Sequence, residues 1–377
     1  MRRIMTVMGT RPEAIKLCPL VQELKKRRNV EVLVCSTGQH RSMLESALRA
    51  FEIRPDFDLD CMRTGQGHAT LSARILRGMD ELLRAERPDI VLVQGDTTSA
   101  FSAALASFYA GIPIGHVEAG LRTYQMHAPF PEEMHRRSIA LLSDLHFAPT
   151  VTAKRNLVKE GIPESSVFIT GNTVVDAMRI TLSKRDSQTD WEIPAGKRLI
   201  LFTAHRMENL GTPIRGMFRA LRRILEEHPD VLAICPLHHN PEVRSAARAI
   251  LYDAPRVRMI EPPEIVSFHR LMAKSYLILT DSGGIQEEAS VMGIPTVVMR
   301  YATERSEGIR AGVLRLAGSG EEGIYHLATR LLAPGSEEYE SMKRPSAIFG
   351  DGKASVRIAD ALEKFDLDGS RARARML

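Results

Sequence analysis

Short apolar runs rich in β-branched residues alternate with segments of helical character along almost all of the 377-residue chain. Few architectures accept that alternation. The runs are Ile4–Met8, Val30–Cys35, Asp89–Gln94, Ile112–Val117, Leu145–Ala148, Val167–Thr170, Leu199–Thr203, Val231–Pro236, Val257–Ile260, Tyr276–Thr280 and Thr296–Met299. Between them lie helical stretches such as Pro12–Arg28, Leu71–Glu86, Pro213–His228 and Pro241–Leu251. A continuously apolar strand must be buried on both faces, and intervening helices supply the cover, so the pattern predicts an α/β fold with parallel sheets. From Ser183 to Lys197 the pattern thins into polar sequence containing Pro194 and Gly196. A junction near residues 170–195 predicts two doubly wound domains, 1–170 and 171–353, with the C-terminal helix (354–377) packing back on the first.

Hydrophobic residues make up 44% and charged residues 26%, enough apolar material for two cores and too much for a disordered or collagen-like chain. Cys18, Cys35, Cys61 and Cys235 are scattered and form no CxxC pair, which argues against a zinc ribbon or disulfide framework and suits a reducing cytoplasm. Met1-Arg2-Arg3 runs straight into an apolar strand, so no secretory leader is expected. The segment Thr97 to Val117 carries no Asp, Glu, Lys or Arg, but Gly111 and Pro113 would break a membrane helix. A buried helix followed by a buried strand is the better reading. The net charge of +5 is spread along the chain. Its only dense run, Arg371, Arg373 and Arg375, reads as a frayed terminus, so no nucleic-acid surface is expected. An anionic small molecule remains a suitable ligand.

In open α/β sheets, ligands bind beyond the carboxyl ends of the strands, which makes the loops after the strands the places to search. After Ile4–Met8 comes Gly9-Thr10-Arg11-Pro12-Glu13. Gly9 permits a tight turn and Pro12 suits a first helical position, so Arg11 reads either as a phosphate ligand at a helix N-terminus or as a solvated cation there. After Tyr276–Thr280 comes Asp281-Ser282-Gly283-Gly284-Ile285-Gln286-Glu287-Glu288. The two glycines let backbone amides approach a pyrophosphate, Ser282 offers a hydroxyl, and Glu288 could accept hydrogen bonds from a ribose diol.

Three carboxylates follow strands in the first half: Asp96, Glu118 and Glu132. Asp96 and Glu132 also read as helix starters. Glu118 has no such role, because it ends an apolar strand and precedes Ala-Gly; a carboxylate there must be paired or functional. Carboxylates sharing a cleft push their pKa values apart and so can supply an acid and a base near neutrality. In the second half His205 lies at a strand end beside Arg206, placed to stabilise a departing phosphate or to act as an acid. His238 and His239 follow the next strand, but no third ligand joins them at metal-binding spacing, so no metal is expected.

Taken in order, GTRPEAIKLCPL, GQHRSML, VQGDTTSAF, GHVEAGLRTY, PFPEE, HFAPT, TGNTVVDA, TAHRMENL, HHNPEVR, LTDSGGIQEEA, GIPTVVMR and TER resemble the non-hydrolysing UDP-N-acetylglucosamine 2-epimerases over nearly the whole chain. The resemblance implies two Rossmann-like doubly wound domains in a glycosyltransferase-B arrangement. It implies interconversion of UDP-GlcNAc and UDP-ManNAc without a cofactor, by elimination of UDP to 2-acetamidoglucal and re-addition. Asp96, Glu118 and Glu132 then become acid/base and sugar-positioning carboxylates, and His205 the group that stabilises UDP as it leaves and returns. Arg11, Lys16, Arg136, Ser282, Gly283, Gly284, Glu288 and Arg305 match nucleotide or sugar contacts, and Phe268 a contact to the uracil region. A second UDP-GlcNAc acting as activator would meet Gln39, His40, Arg74, Glu133, Arg206 and His238. A cytoplasmic homodimer is implied in the same way.

The sequence departs from the family pattern at Met207, His135 and Ser306, each beside an expected ligand contact, and Ser42 stands where a longer polar residue is common. These departures read as neutral drift or as marks of a paralogue acting on a modified UDP-HexNAc. A hydrolysing 2-epimerase, a glycosyltransferase of the same architecture and a catalytically inactive UDP-sugar sensor are the rival readings.

Overall fold

The computed structural model describes residues 1–38, 41–63, 65–127, 129–184 and 191–367, without the side chains of 41–43. Gln39, His40, the side chain of Ser42 and the arginines of the C-terminal tail lie outside the described residues. The chain forms two compact units: Met1–Ile180 with the segment from Gly350 onward, and Thr181–Phe349.

In the first unit the strands are β1 (Arg2–Met8), β2 (Val30–Ser36), β3 (Phe57–Asp58), β4 (Ile90–Gln94), β5 (Ile114–Val117), β6 (Leu145–Ala148) and β7 (Val167–Ile169). They form one parallel sheet in the order β3-β2-β1-β4-β5-β6-β7. The second unit contains β8 (Arg198–Thr203), β9 (Val231–Pro236), β10 (Val257–Ile260), β11 (Leu277–Thr280), β12 (Thr296–Val298) and β13 (Leu314–Leu316). Its parallel order is β10-β9-β8-β11-β12-β13. Each unit is therefore an α/β Rossmann-like doubly wound sheet, the fold class expected. In each, strand order reverses once, between β1 and β4 and between β8 and β11. Those are the topological switch points where such sheets open a crevice for ligands.

The cores explain why the strands are apolar throughout. Met5, Val7, Val91 and Val93 pack under Ala100, Ala103 and Ala104 of the helix Thr98–Tyr109 and under Ile75, Met79 and Leu83 of the helix His68–Glu86. Small residues on the first of these helices let it lie close to the sheet. The uncharged stretch from Thr97 to Val117 is thus a helix and a strand, although Phe108 and Tyr109 at the helix end are exposed. In the second unit Ile200, Phe202 and Ala233 pack against Phe218, Leu221 and Leu225 of the helix Thr212–Glu227. The late helix Ala354–Lys364 lies against the helix Arg11–Leu24, where Arg27 pairs with Asp360 at 2.8 Å and Glu363 at 3.1 Å. The Asp176 carboxylate caps its start, accepting from the amides of Ala354 and Ser355 at 3.2 and 2.8 Å. Among the described residues no helix is long and apolar enough to cross a membrane.

Candidate active site

Both switch points are built on the same plan, with one buried carboxylate tying two loops together. In the first unit that carboxylate is Glu13. Thr10 caps the helix Arg11–Leu24, and Glu13 answers it in a capping box. Glu13 accepts from the amides of Gly9 (3.0 Å) and Thr10 (2.7 Å) after β1, and from the Thr97 hydroxyl (2.6 Å) after β4. Burial pushes its pKa up, against the pull of these donors. Gly9 is required by close packing: a Cβ there would lie 2.2 Å from the hydroxyls of Ser99 and Thr37. Arg11 is half-buried in the first helical position.

One turn into that helix the Lys16 ammonium pairs with Glu118 Oε2. Gln94, at the end of β4, donates to the same oxygen, and Asn172 Nδ2 donates to Oε1 at 3.0 Å. The carboxylate read from sequence as paired or functional is therefore gripped from three parts of the chain. Its backbone sits at φ 64°, the left-handed region that a non-glycine residue enters at a cost of about 1–2 kcal/mol. That geometry turns the chain sharply at the end of β5 and aims the side chain at Lys16. Gly120, two residues on, has φ 89°, and a Cβ there would lie 2.2 Å from the Ala153 carbonyl.

Asp96 forms a second cluster. Arg136 Nε and Nη2 both reach Asp96 Oδ2 at 2.7 Å, and Arg136 Nη1 donates to Glu133 Oε2 at 3.0 Å. Glu133 is fully buried and also accepts from the amides of Thr123 and Tyr124, each at 3.0 Å. It is thus an internal strut that fixes the 123–124 loop and the Arg136 guanidinium. The helix after Asp96 is capped by Thr97, so the helix-starter reading of Asp96 does not hold. Glu132 does open the helix Glu132–Leu142, half-buried. Two imidazoles brace the Asp96 loop from below: His116 Nε2 lies 2.7 Å from the Gly95 carbonyl and His135 Nδ1 2.8 Å from the Asp96 carbonyl. Burial pushes both down, His116 to about 3, so both rings are neutral at physiological pH. Arg74 is exposed and donates to the Cys61 carbonyl and to Gln66 Oε1, both at 3.5 Å.

In the second unit the carboxylate that joins the loops is Asp281, fully buried at the end of β11. It accepts from the amides of His205 (3.0 Å) and Arg206 (3.0 Å) and from Asn209 Nδ2 (3.0 Å), and it lies 3.1 Å from His205 Nδ1. Burial alone would raise its pKa, but His205, these amides and Asn209 together hold it well below the usual carboxylate range. A buried anion thereby orients the His205 ring, whose side chain stays 40% exposed. The His238 ring lies 5.6 Å from it, centroid to centroid.

The helix Gly283–Met292 starts next to this dyad. Ser282 is its N-cap residue, yet its side chain makes no capping bond, which leaves the hydroxyl for other use. A Cβ on Gly283 would stand 2.6 Å from the Arg305 guanidinium, so glycine lets that cation rest on the helix start. Arg305 is held by Glu287 at 2.8 Å and Glu304 at 3.5 Å. Glu304 also pairs with Arg300 (2.9 Å) and lies 4.0 Å from Arg206. Against the upward push of burial, these three arginines hold its pKa far down. Helix amides and arginine guanidiniums around one helix start make a site suited to a phosphorylated ligand. Glu288 has a different partner, its Oε1 lying 3.1 Å from Nε2 of the buried His269. Phe268, half-buried, packs on the second core of this unit.

Sequence reading missed Glu13, Gln94, Asn172, His269 and Asp281. Glu13 had a local signal, the Thr-x-x-Glu capping box, and Gln94 was a polar residue ending an apolar strand, as Glu118 is. Asn172, His269 and Asp281 acquire their roles through tertiary contacts that no local pattern announces. Among the described residues no group of three or more His, Cys, Asp or Glu side chains is placed to hold a metal ion.

The family profile described as UDP-N-acetylglucosamine 2-epimerase matches residues 22–363. The chain is 50% identical over 360 residues to the UDP-N-acetylglucosamine 2-epimerase of Bacillus subtilis, covering 96% of this chain and 94% of that protein. It is similar in structure to the UDP-GlcNAc 2-epimerase of Neisseria meningitidis bound to UDP-GlcNAc, with a TM-score of 0.93, 42% identity and coverage of 96% and 100% of the two chains. The Methanocaldococcus jannaschii UDP-GlcNAc 2-epimerase in complex with UDP-GlcNAc and UDP is similar at a TM-score of 0.84 and 30% identity, again over 96% and 100%. With that likeness running from end to end, the chain belongs to the UDP-N-acetylglucosamine 2-epimerase family.

Proposed function

We propose that this protein interconverts UDP-GlcNAc and UDP-ManNAc without hydrolysis. The observation that carries the reading is Glu118: a carboxylate held in strained left-handed backbone and gripped by Lys16, Gln94 and Asn172. Packing alone gives no reason to keep such a residue.

Epimerisation needs a base for the weakly acidic C2 proton. As that proton leaves, its bonding pair forms the C1=C2 double bond and the C1–O bond to UDP breaks, giving 2-acetamidoglucal and UDP. Addition of the UDP oxygen to C1, with protonation of C2 from the opposite face, gives the epimer. Two acid/base groups on two faces are required, and Asp96, Glu118 and Glu132 are the candidates, with Lys16 paired to Glu118 and Arg136 to Asp96. The amides at Gly283 and Gly284, the Ser282 hydroxyl and Arg305 would hold the pyrophosphate. Asp281 orients the His205 ring, which makes His205 the candidate for stabilising charge that develops on the departing phosphate. Arg11 would bind phosphate or sugar, Glu288 the ribose and Phe268 the uracil edge. The resemblance also supports a homodimer and a second UDP-GlcNAc as activator. Mass in solution and sigmoidal saturation kinetics would test these two points.

The test is chromatography of the products formed from UDP-GlcNAc alone. The reading predicts UDP-ManNAc at constant total nucleotide sugar. Stoichiometric UDP and free ManNAc would replace it with the hydrolysing reaction, and turnover only with an added acceptor would replace it with glycosyl transfer.

A further inference from the structure

The proposed mechanism leaves the buried His269 of the second unit unused. His269, on the helix Ile265–Ala273, is wholly inaccessible to solvent, as is Thr181 beside it. Its Nδ1 lies 2.5 Å from the Thr181 hydroxyl and its Nε2 3.1 Å from Glu288 Oε1. A buried imidazole needs partners for its ring nitrogens, and here one side is a hydroxyl and the other a carboxylate. With Thr181 donating to Nδ1, the ring is fixed as the tautomer that donates from Nε2 to Glu288. The neighbouring Glu287 faces a different partner, Arg305, at 2.8 Å. The two adjacent glutamates are thus assigned to separate tasks by the cations and donors around them.

We infer that His269 is a positioning residue for nucleotide selectivity. It pins Oε1 of Glu288, so that the carboxylate is already turned to accept the ribose hydroxyls when the nucleotide arrives. The inference rests on the reading of Glu288 as the ribose contact. The Glu288 side chain is only 7% exposed, so its solvation comes mostly from protein. His269 is the hydrogen-bond donor that the described residues give it. A carboxylate fixed before binding loses no rotamer freedom on binding, and its hydrogen bonds to the ligand then count in full. Without the imidazole it would turn away, which removes acceptors from the ribose. A selective site of this kind rejects the analogue that lacks a hydroxyl, because the buried acceptor is left unpaired.

The experiment compares kcat/KM for UDP-GlcNAc with that for its 2′-deoxyuridine analogue in the wild-type protein and in H269F, H269Q, T181V and E288Q. The wild type is expected to prefer the ribonucleotide roughly 10- to 100-fold, the scale of a hydrogen bond to a charged group. H269F should bring the ratio to within about threefold of one, chiefly through a higher KM for UDP-GlcNAc, as E288Q should. H269Q, which keeps a donor, should restore part of the preference, and T181V should lower it in a folded protein. A structural strut would depress both substrates equally, so an unchanged ratio in folded H269F overturns the inference while leaving the ribose reading intact. If H269F does not fold, T181V decides in the same way. A wild-type ratio near one overturns the ribose reading of Glu288 and the inference with it.

Discussion

Replacing Glu118 by alanine and, in parallel, by glycine separates the cost of holding this residue from its chemical use. Either change removes the acceptor of the Lys16 ammonium, whose side chain is 12% exposed, and of the Gln94 and Asn172 amides. Losing a partly buried ion pair and stranding two donors costs about 3–5 kcal/mol of stability. That loss is shared by the two variants and cancels between them. What differs is the backbone: at φ 64° alanine keeps the left-handed strain, whereas glycine does not. Glycine gains flexibility in the unfolded chain, but the net preference remains about 1 kcal/mol in its favour. Urea unfolding followed by circular dichroism should therefore rank E118G above E118A. Turnover of UDP-GlcNAc should fall roughly 100-fold or more in both, the scale of a lost acid/base group. An alanine variant as stable as the glycine variant would refute the strain argument. Full turnover in either would remove Glu118 from the chemistry.

D281N keeps one acceptor but turns an amide group toward donors, so it should lower stability by about 2–4 kcal/mol and turnover at least tenfold, read by thermal melting and steady-state kinetics. His116, pushed down to about 3 by burial, gives a pH-dependent term. The unfolded imidazole binds its proton below about 6.5 while the folded one does not. Stability should thus fall by about 1.4 kcal/mol per pH unit from about pH 6.5 down to about 3, and H116Q should flatten that limb in denaturation measured across pH. G120A places a Cβ 2.2 Å from the Ala153 carbonyl at φ 89° and should yield little folded protein on gel filtration. D96N, E132Q and H205A should each lower turnover roughly 100-fold, and full activity in any of them removes that residue from the mechanism.

The sheets were legible in the sequence because a parallel strand covered on both faces is apolar at every position, as β4 is from Ile90 to Val93. The two strands that escaped, Phe57–Asp58 and Leu314–Leu316, are edge strands too short to show a pattern. Glu118 stood out because a carboxylate ending such a strand has no packing role. Its three partners did not, since Lys16 and Asn172 reach it from distant parts of the chain. Asp281 was legible only as part of a glycine-rich turn. Its grip on His205 depends on the register of β8 beside β11, which sets Thr280 opposite Thr203 and so brings together residues 76 apart in sequence. Local pattern thus located the loops, and tertiary register decided which side chains in them act together.

The central claim is proton exchange at C2 through elimination, and proton NMR of the protein with UDP-GlcNAc in D₂O tests it most directly. The account predicts UDP-ManNAc carrying deuterium at C2, with deuterium also entering C2 of the recovered UDP-GlcNAc. An epimer that retains its C2 proton, or a spectrum in which UDP-GlcNAc stays unchanged, would contradict it.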